Sequence, residues 1–379
     1  MGSASTPLNV IYTAGISISL FISALLLRKK QKSGADAFLL AWMLLLAIHL
    51  YLYSINFTGP LFKVPQLLGI EIPLPLIHGV LLYYYVAAVT QQFPKRKWAA
   101  LLHLLPISVG YLYLIPLFRA SPAQKIEIYS NSFEGYQGFM DFGLWLIFLS
   151  GIVYVLWCSW LLHRHKRNIR HQFSDIEAVS LGWLQLLVYG LGAVWSIVIF
   201  TNKDAYIFTG VTVFVILIGF FGVQQSTIFV QREAAPAQPE KATSGVEGER
   251  KKYARSGLKA ATANDTYERL LHLFTVEAYY KKNELSLREL ALELDMPPNH
   301  LSQIINEKTG KNFYDFVNTF RLEAFKQRVQ QQHHQEFTLL ALAYECGFNS
   351  KSSFNRYFKK HTGQTPSEFA KSATGPPDA

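Results

Sequence analysis

The chain has 379 residues, half of them hydrophobic and only 16% charged, with a formal net charge of +10 and two cysteines. A charged share so far below the roughly 25% of ordinary soluble proteins argues against a fully water-facing chain, and two cysteines exclude a disulfide-stapled scaffold. The length leaves room for two or three domains of roughly 150 residues each.

The average conceals a division. Up to residue 230 there are 8 acids against 15 Lys and Arg, whereas the remainder carries 18 acids and 21 bases. Most of the excess positive charge therefore lies between apolar runs, where it orients a membrane protein rather than binding nucleic acid. Cys158 and Cys346 read as ordinary buried thiols, the second in a reducing compartment.

Seven apolar segments, over 8–27, 37–55, 67–90, 98–118, 137–162, 181–200 and 206–230, each have about the 20 residues needed to cross a bilayer. The first lacks the basic leader of a cleaved signal peptide and is read as a true span. The basic stretches "RKKQK", "KRK" and "HRHKRNIRH" follow the first, third and fifth segments. Excess Lys and Arg marks cytoplasmic loops, so the N-terminus is expected outside and everything after residue 230 in the cytoplasm. The start "MGSAST" matches a myristoylation pattern, but it falls on the wrong side and is read as chance. His163, His165 and His171 sit among four cations that would repel a metal ion, so no metal site is expected there.

Polar groups inside apolar segments are costly and usually face a cavity. Glu71, followed by His78, and Asp141 lie near outer ends, and with His49 and the runs "YLY" and "YYY" they are candidates for a pocket that takes an unknown small ligand or membrane signal. The alternative is acids at the headgroup boundary and tyrosines in interfacial belts.

Residues 231–264 are rich in Ala, Gly, Pro, Ser and mixed charge, and predict a flexible linker. Its run "RKKYAR" reads as solvated charge. Helical periodicity resumes with "TYERLLHLFTVEAYY". Two segments then resemble each other: "LSLRELALELDMPPNHLSQIINEKTGKNFYDF" at 285–316 and "FTLLALAYECGFNSKSSFNRYFKKHTGQTPSEF" at 337–369. Each predicts an amphipathic helix, a sharp turn and a second helix ended by Thr-Gly, which is a helix-turn-helix. Gly347 suits the second turn by its tolerance of positive φ, and Ser350 or Ser352 can cap the helix that follows. In the first copy Asp295 and Met296 take the places of Gly347 and of Phe348, which pins the turn to the core, and Pro297 and Pro298 open the next helix. Phe313, Phe316, Val317, Phe320 and Ala324 recur at helical spacing and predict one connecting helix. Two such units can enter successive major grooves about 34 Å apart.

The pattern "LxxLAxxxGFxSxSxFNRYFKKxTGxTPSEF" at 339–369 resembles the signature of the AraC/XylS family of bacterial transcription regulators, and the duplicated layout covers about 265–372. The whole arrangement resembles membrane-embedded members of that family; the first copy departs in lacking the turn glycine. The resemblance implies that Asn299, Ser302, Gln303 and Asn306 of the first unit, and Lys351, Ser352, Asn355 and Arg356 of the second, face bases. Asn and Gln pair with adenine, Arg and Lys with guanine. Lys308, Lys359 and Lys360 are placed for phosphates.

The expected fold is thus all-α: a seven-transmembrane-helix bundle at 1–230, a linker at 231–264, and a double helix-turn-helix DNA-binding domain at 265–379. The expected function is a membrane-bound, one-component transcription regulator. Its partners would be double-stranded promoter DNA, the lipid bilayer, RNA polymerase and a second copy of the chain. No catalytic constellation, metal spacing or cofactor loop stands out, so no cofactor is expected. The alternatives are release of the DNA-binding part by proteolysis in the linker, and a transporter or membrane enzyme with an attached DNA-binding domain.

Overall fold

A computed structural model describes residues 5–175, 181–201, 204–233, 260–331 and 337–373. Most of the expected linker therefore lies outside the described residues, and its last five positions, from Ala260, already belong to a helix. The only β pairing among the described residues is an isolated bridge between Phe173 and Ser286. Internal contacts divide the chain into two compact units: residues 1–163 with 181–239, and residues 164–180 with 240–379.

The first unit is built on α1 (Ser5–Arg28), α2 (Gly34–Thr58), α3 (Pro75–Val89), α8 (Gln137–Ile169, as far as His163), α9 (Gly182–Thr201) and α10 (Asp204–Glu233). Ser33 starts α2 with a reciprocal cap to Asp36, whose carboxylate also pairs with Lys29 at 2.6 Å. That partner lets an acid remain buried at a helix start. The core gathers Tyr12, Trp42, Met43, Val80, Leu184, Val188, Val215 and Ile218. Glycine permits the closest helix approaches: a Cβ at Gly79 would lie 2.8 Å from Tyr154, and one at Gly151 would lie 2.5 Å from Trp195. Large apolar side chains also face outward, among them Phe21, Trp145, Leu156 and Phe200.

Four of the seven expected spans are helices long and apolar enough to cross a membrane: Leu8–Arg28, Gly34–Thr58, Met140–Ile169 and Gly182–Thr201. The other three are shorter apolar helices within the described residues, so the count of seven is not established. Pro60 and Pro65, in the expected outer loop before the third segment, and Pro73 within it, with Gly69 at φ +98°, hold residues 60–74 in 3-10 turns and bends, so the third segment is helical only from Pro75. The fourth breaks into α4 (Lys97–Leu101), α5 (Leu105–Tyr113) and α6 (Ile115–Arg119), with prolines opening the last two. The expected outer loop after it contains a further helix, α7 (Pro122–Ser130), capped by Ser121 and Gln124.

The second unit contains α11 (Ala260–Thr275), α12 (Leu287–Glu293), α13 (Pro298–Thr309), α14 (Phe313–Gln330), α15 (Leu339–Glu345), α16 (Lys351–Thr362) and α17 (Pro366–Ala373). It has two cores. Leu270, Phe274, Leu290, Leu301 and Ile305 fill one, and Leu342, Phe348, Phe354 and Phe358 the other. The connecting helix α14 serves both, giving Phe313, Phe316 and Val317 to the first and Tyr314, Leu322 and Phe325 to the second. One helix thereby holds the repeats together through both hydrophobic cores.

Candidate nucleic-acid interface

Both repeats make the same bend. Met296 N–H donates to Ala291 O at 2.9 Å, and Phe348 N–H donates to Ala343 O at 3.1 Å. Each bond spans a left-handed residue, Gly347 at φ +93° and Asp295 at φ +52°. Aspartate is among the few non-glycine residues that visit this region with any frequency. The missing turn glycine is thus replaced by a tolerated substitute. Ser350 caps α16 by accepting from Ser353 N at 3.1 Å, whereas Pro297 precedes α13 with no side-chain cap. Gly310 and Gly363, at φ +68° and +79°, end the two second helices.

The second helix of each repeat, α13 and α16, turns one face inward. Leu301, Ile304 and Ile305 are buried in α13, as are Ser353, Phe354, Tyr357 and Phe358 in α16. The opposite faces carry the expected base readers: Asn299 and Asn306 are exposed, Ser302 and Gln303 half-buried, and Lys351, Ser352, Asn355 and Arg356 exposed. Gln303 Nε2 donates to Glu307 Oε1 at 2.7 Å, which engages one of its two amide hydrogens. Lys359 and Lys360 are exposed in the last turn of α16, and Lys308 in the last turn of α13 donates to Asn264 Oδ1. Cations at a helix C-terminus favour the dipole, so these lysines stabilise their helices.

In the first unit the four pocket candidates fall into three places, with His49 and His78 together and Glu71 and Asp141 each apart. His78 Nε2 lies 2.7 Å from His49 Nδ1, and Trp42 Nε1 donates to His78 Nδ1 at 3.2 Å. An indole N–H only donates, so His78 accepts at Nδ1 and donates from Nε2, leaving the proton of neutral His49 on Nε2. That Nε2 is buried without a hydrogen-bond partner. Tyr53 packs on His49 at a centroid distance of 5.1 Å. Glu71 instead accepts from Tyr129 Oη at 2.6 Å and from Gly69 N at 3.1 Å, which ties α7 to the bends before α3. Asp141 is exposed on α8. A small cavity of about 40 Å³ is apolar, lined by Pro73, Leu76, Tyr113, Met140 and Ile147, and contains none of the four. Among the described residues no group of three or more His, Cys, Asp or Glu is placed to hold a metal.

Sequence reasoning passed over Trp42, Tyr129 and, in the second unit, Arg321. Arg321 is 1% exposed and donates to Tyr280 O and Lys282 O, both at 2.8 Å, to Ser174 Oγ at 3.2 Å and to Asn318 Oδ1 at 3.4 Å. Burial pushes its guanidinium down to about 10, opposed by the nearby Asp175 carboxylate. An arginine between Phe320 and Leu322 on α14 offered the only signal, since all its partners but Asn318 lie in distant sequence.

Residues 290–372 match the family described as Helix-turn-helix domain. The match covers α13 to α16 whole, with the part of α12 that leads into the first turn. An uncharacterized HTH-type transcriptional regulator of Staphylococcus aureus (strain COL) is 36% identical over 86 residues, 23% of this chain and 11% of that protein. The uncharacterized transcriptional regulatory protein YesN of Bacillus subtilis (strain 168) is 36% identical over 94 residues, 24% of this chain and 25% of that one. An HTH-type transcriptional regulator of Mycobacterium tuberculosis is 28% identical over 83 residues, 22% and 31% of the two chains. The chain thus spans between about a tenth and a third of the length of these relatives, and the likeness concerns the helix-turn-helix region. No solved structure gives a significant match.

Proposed function

We propose that this chain is a membrane-embedded, one-component transcription regulator of AraC/XylS type. Its apolar N-terminal part, 1–230 in the seven-span reading, senses a signal, and its C-terminal domain reads promoter DNA from the cytoplasm. The observation that carries the reading is the pair of exposed polar faces, Asn299 to Asn306 on α13 and Lys351 to Arg356 on α16, borne by two repeats that share α14. Two readers on one support suit a bipartite site in successive major grooves. The four long apolar helices with outward Trp145 and Phe200 support insertion in lipid, where such side chains need no further cover. On this reading the open Nε2–H of His49 is the candidate contact for a ligand with a hydrogen-bond acceptor, while Glu71 serves the fold of the outer loop.

The test is a DNA selection on the full chain in lipid nanodiscs at two salt concentrations, beside an Asn355→Ala, Arg356→Ala control. A two-part motif enriched by the native chain and lost in the control supports the reading. Enrichment of no sequence at either salt would overturn it.

A further inference from the structure

The segment that leaves α8 is part of the DNA-binding unit. Ile169 and Phe173 join the core of the second repeat, beside Phe348 and Phe354. Arg170 O accepts from Tyr314 N at 3.0 Å, satisfying an N–H in the first turn of α14 that has no partner within its helix. Gln172 O accepts from Leu287 N at 2.9 Å, and Ser174 donates to Leu285 O through both its N–H, at 3.1 Å, and its hydroxyl, at 2.7 Å. These last contacts pin the start of α12 in the first repeat. Ser174 O accepts from Asn318 Nδ2 at 3.2 Å, and Asp175 Oδ2 accepts from Asn349 Nδ2 at 2.8 Å, in the turn that precedes α16. Seven residues, 169–175, thus hold the first repeat, the connecting helix and the second repeat at once.

The bonding is that of an ordered interface. Ser174 is 2% exposed, and its hydroxyl is also an acceptor for Arg321, which in addition donates to Tyr280 O and Lys282 O beside the first repeat. The base-facing residues Asn299, Asn306, Lys351, Asn355 and Arg356 remain exposed, so the segment occupies a different side from the readers and leaves them open. Blocking DNA is therefore not its role. Fixing the readers is what its contacts accomplish.

We propose that the face formed by Leu285, Leu287, Tyr314, Asn318, Arg321 and Asn349 is a docking surface for residues 169–175 of the same chain, and that this docked strap sets the relative orientation of the two readers. The inference rests on the DNA-reading function proposed above. It makes the end of α8, rather than the 231–264 linker, the route by which the first unit addresses DNA binding.

The experiment uses the full chain in nanodiscs, with two DNA probes: the two-part site obtained by selection and a single half-site. Phe173→Ala with Ser174→Pro releases the strap, and hydrogen exchange at the Leu287 and Tyr314 amides reports the release. The native chain should bind the two-part site about tenfold more tightly than the half-site, through linked binding. The released variant should lose most of that advantage while half-site affinity stays within about twofold, and a ten-residue Gly-Ser insertion at 245 should leave the advantage intact, as expected if stiffness resides in the strap. Exposed amides with the two-part advantage retained would overturn the strap, as would loss of the advantage through the insertion alone. Should the double variant also lose half-site binding, Asp175→Ala decides by the same readings, because it truncates one side chain at the edge of the segment and leaves the backbone bonds of Ser174 in place. Absence of sequence preference in the native chain would overturn the DNA-reading function itself, a result separable from either strap outcome.

Discussion

Asp295 and Gly347 occupy the same turn of the two repeats, at φ +52° and +93°, yet only the glycine is hemmed in. A Cβ at Gly347 would lie 2.5 Å from Tyr280 O and 3.0 Å from Arg321 Nε. Gly347→Ala therefore meets both a disfavoured backbone conformation and a backbone oxygen, and should cost about 2 kcal/mol or more. Asp295→Gly relieves the left-handed strain and should change stability by at most about 1 kcal/mol in either direction, since glycine also loses more entropy on folding. Thermal unfolding of the two variants checks the asymmetry; equal losses would refute it.

Arg321→Leu strips hydrogen bonds from Tyr280 O, Lys282 O and Ser174 and should destabilise the DNA-binding unit by about 3 to 5 kcal/mol. Arg321→Lys should recover only part, because one ammonium cannot reproduce a planar fork directed at acceptors on several segments. Urea denaturation followed by a probe within the unit measures both.

Within the second reader, Arg356→Ala should cost about 1 to 3 kcal/mol at the selected site and relax the sequence preference there. Lys359→Ala should weaken all DNA alike and lower the salt dependence by about one counterion. Titrations on selected and random duplexes at several salt concentrations separate the two. An equal loss for Arg356→Ala on both duplexes would move that residue to the phosphates.

In the first unit, Glu71→Ala leaves Tyr129 Oη and Gly69 N without their shared acceptor. Faster hydrogen exchange at Gly69 and along α7 is the expected result, with Glu71→Gln intermediate because its amide keeps one accepting oxygen. His78→Phe would orphan the Trp42 indole N–H and should lower stability by about 1 to 3 kcal/mol, read by thermal unfolding in nanodiscs.

The helix-turn-helix repeats were legible because their signals are local: helical spacing around Leu290, Leu301 and Phe354, and glycines at 310, 347 and 363. Residue type alone could not tell whether Asp295 would adopt the glycine-like turn, because aspartate favours several backbone conformations. Hydropathy likewise averages over prolines, so it marked 67–90 and 98–118 as continuous where Pro73, Pro106 and Pro116 interrupt or restart helices. The pairing of His49 with His78 follows from helix packing, and neither residue's neighbours announce it. Least legible was the bond between Ser174 and Arg321, 147 positions apart, since no periodicity links a loop serine to an arginine in a distant helix.

The strap also alters what counts as a portable part of this protein. A piece cut at the linker, beginning near residue 264, would carry both repeats but not Ile169 and Phe173, which belong to the core of the second. It would expose an apolar seat and leave Arg321 short of its Ser174 acceptors. Grafting the C-terminal cassette onto another protein would transplant an unfinished domain. An exchange that respects the fold must carry the end of α8 along with it, so the two units are expected to have diverged together rather than been shuffled as separate pieces.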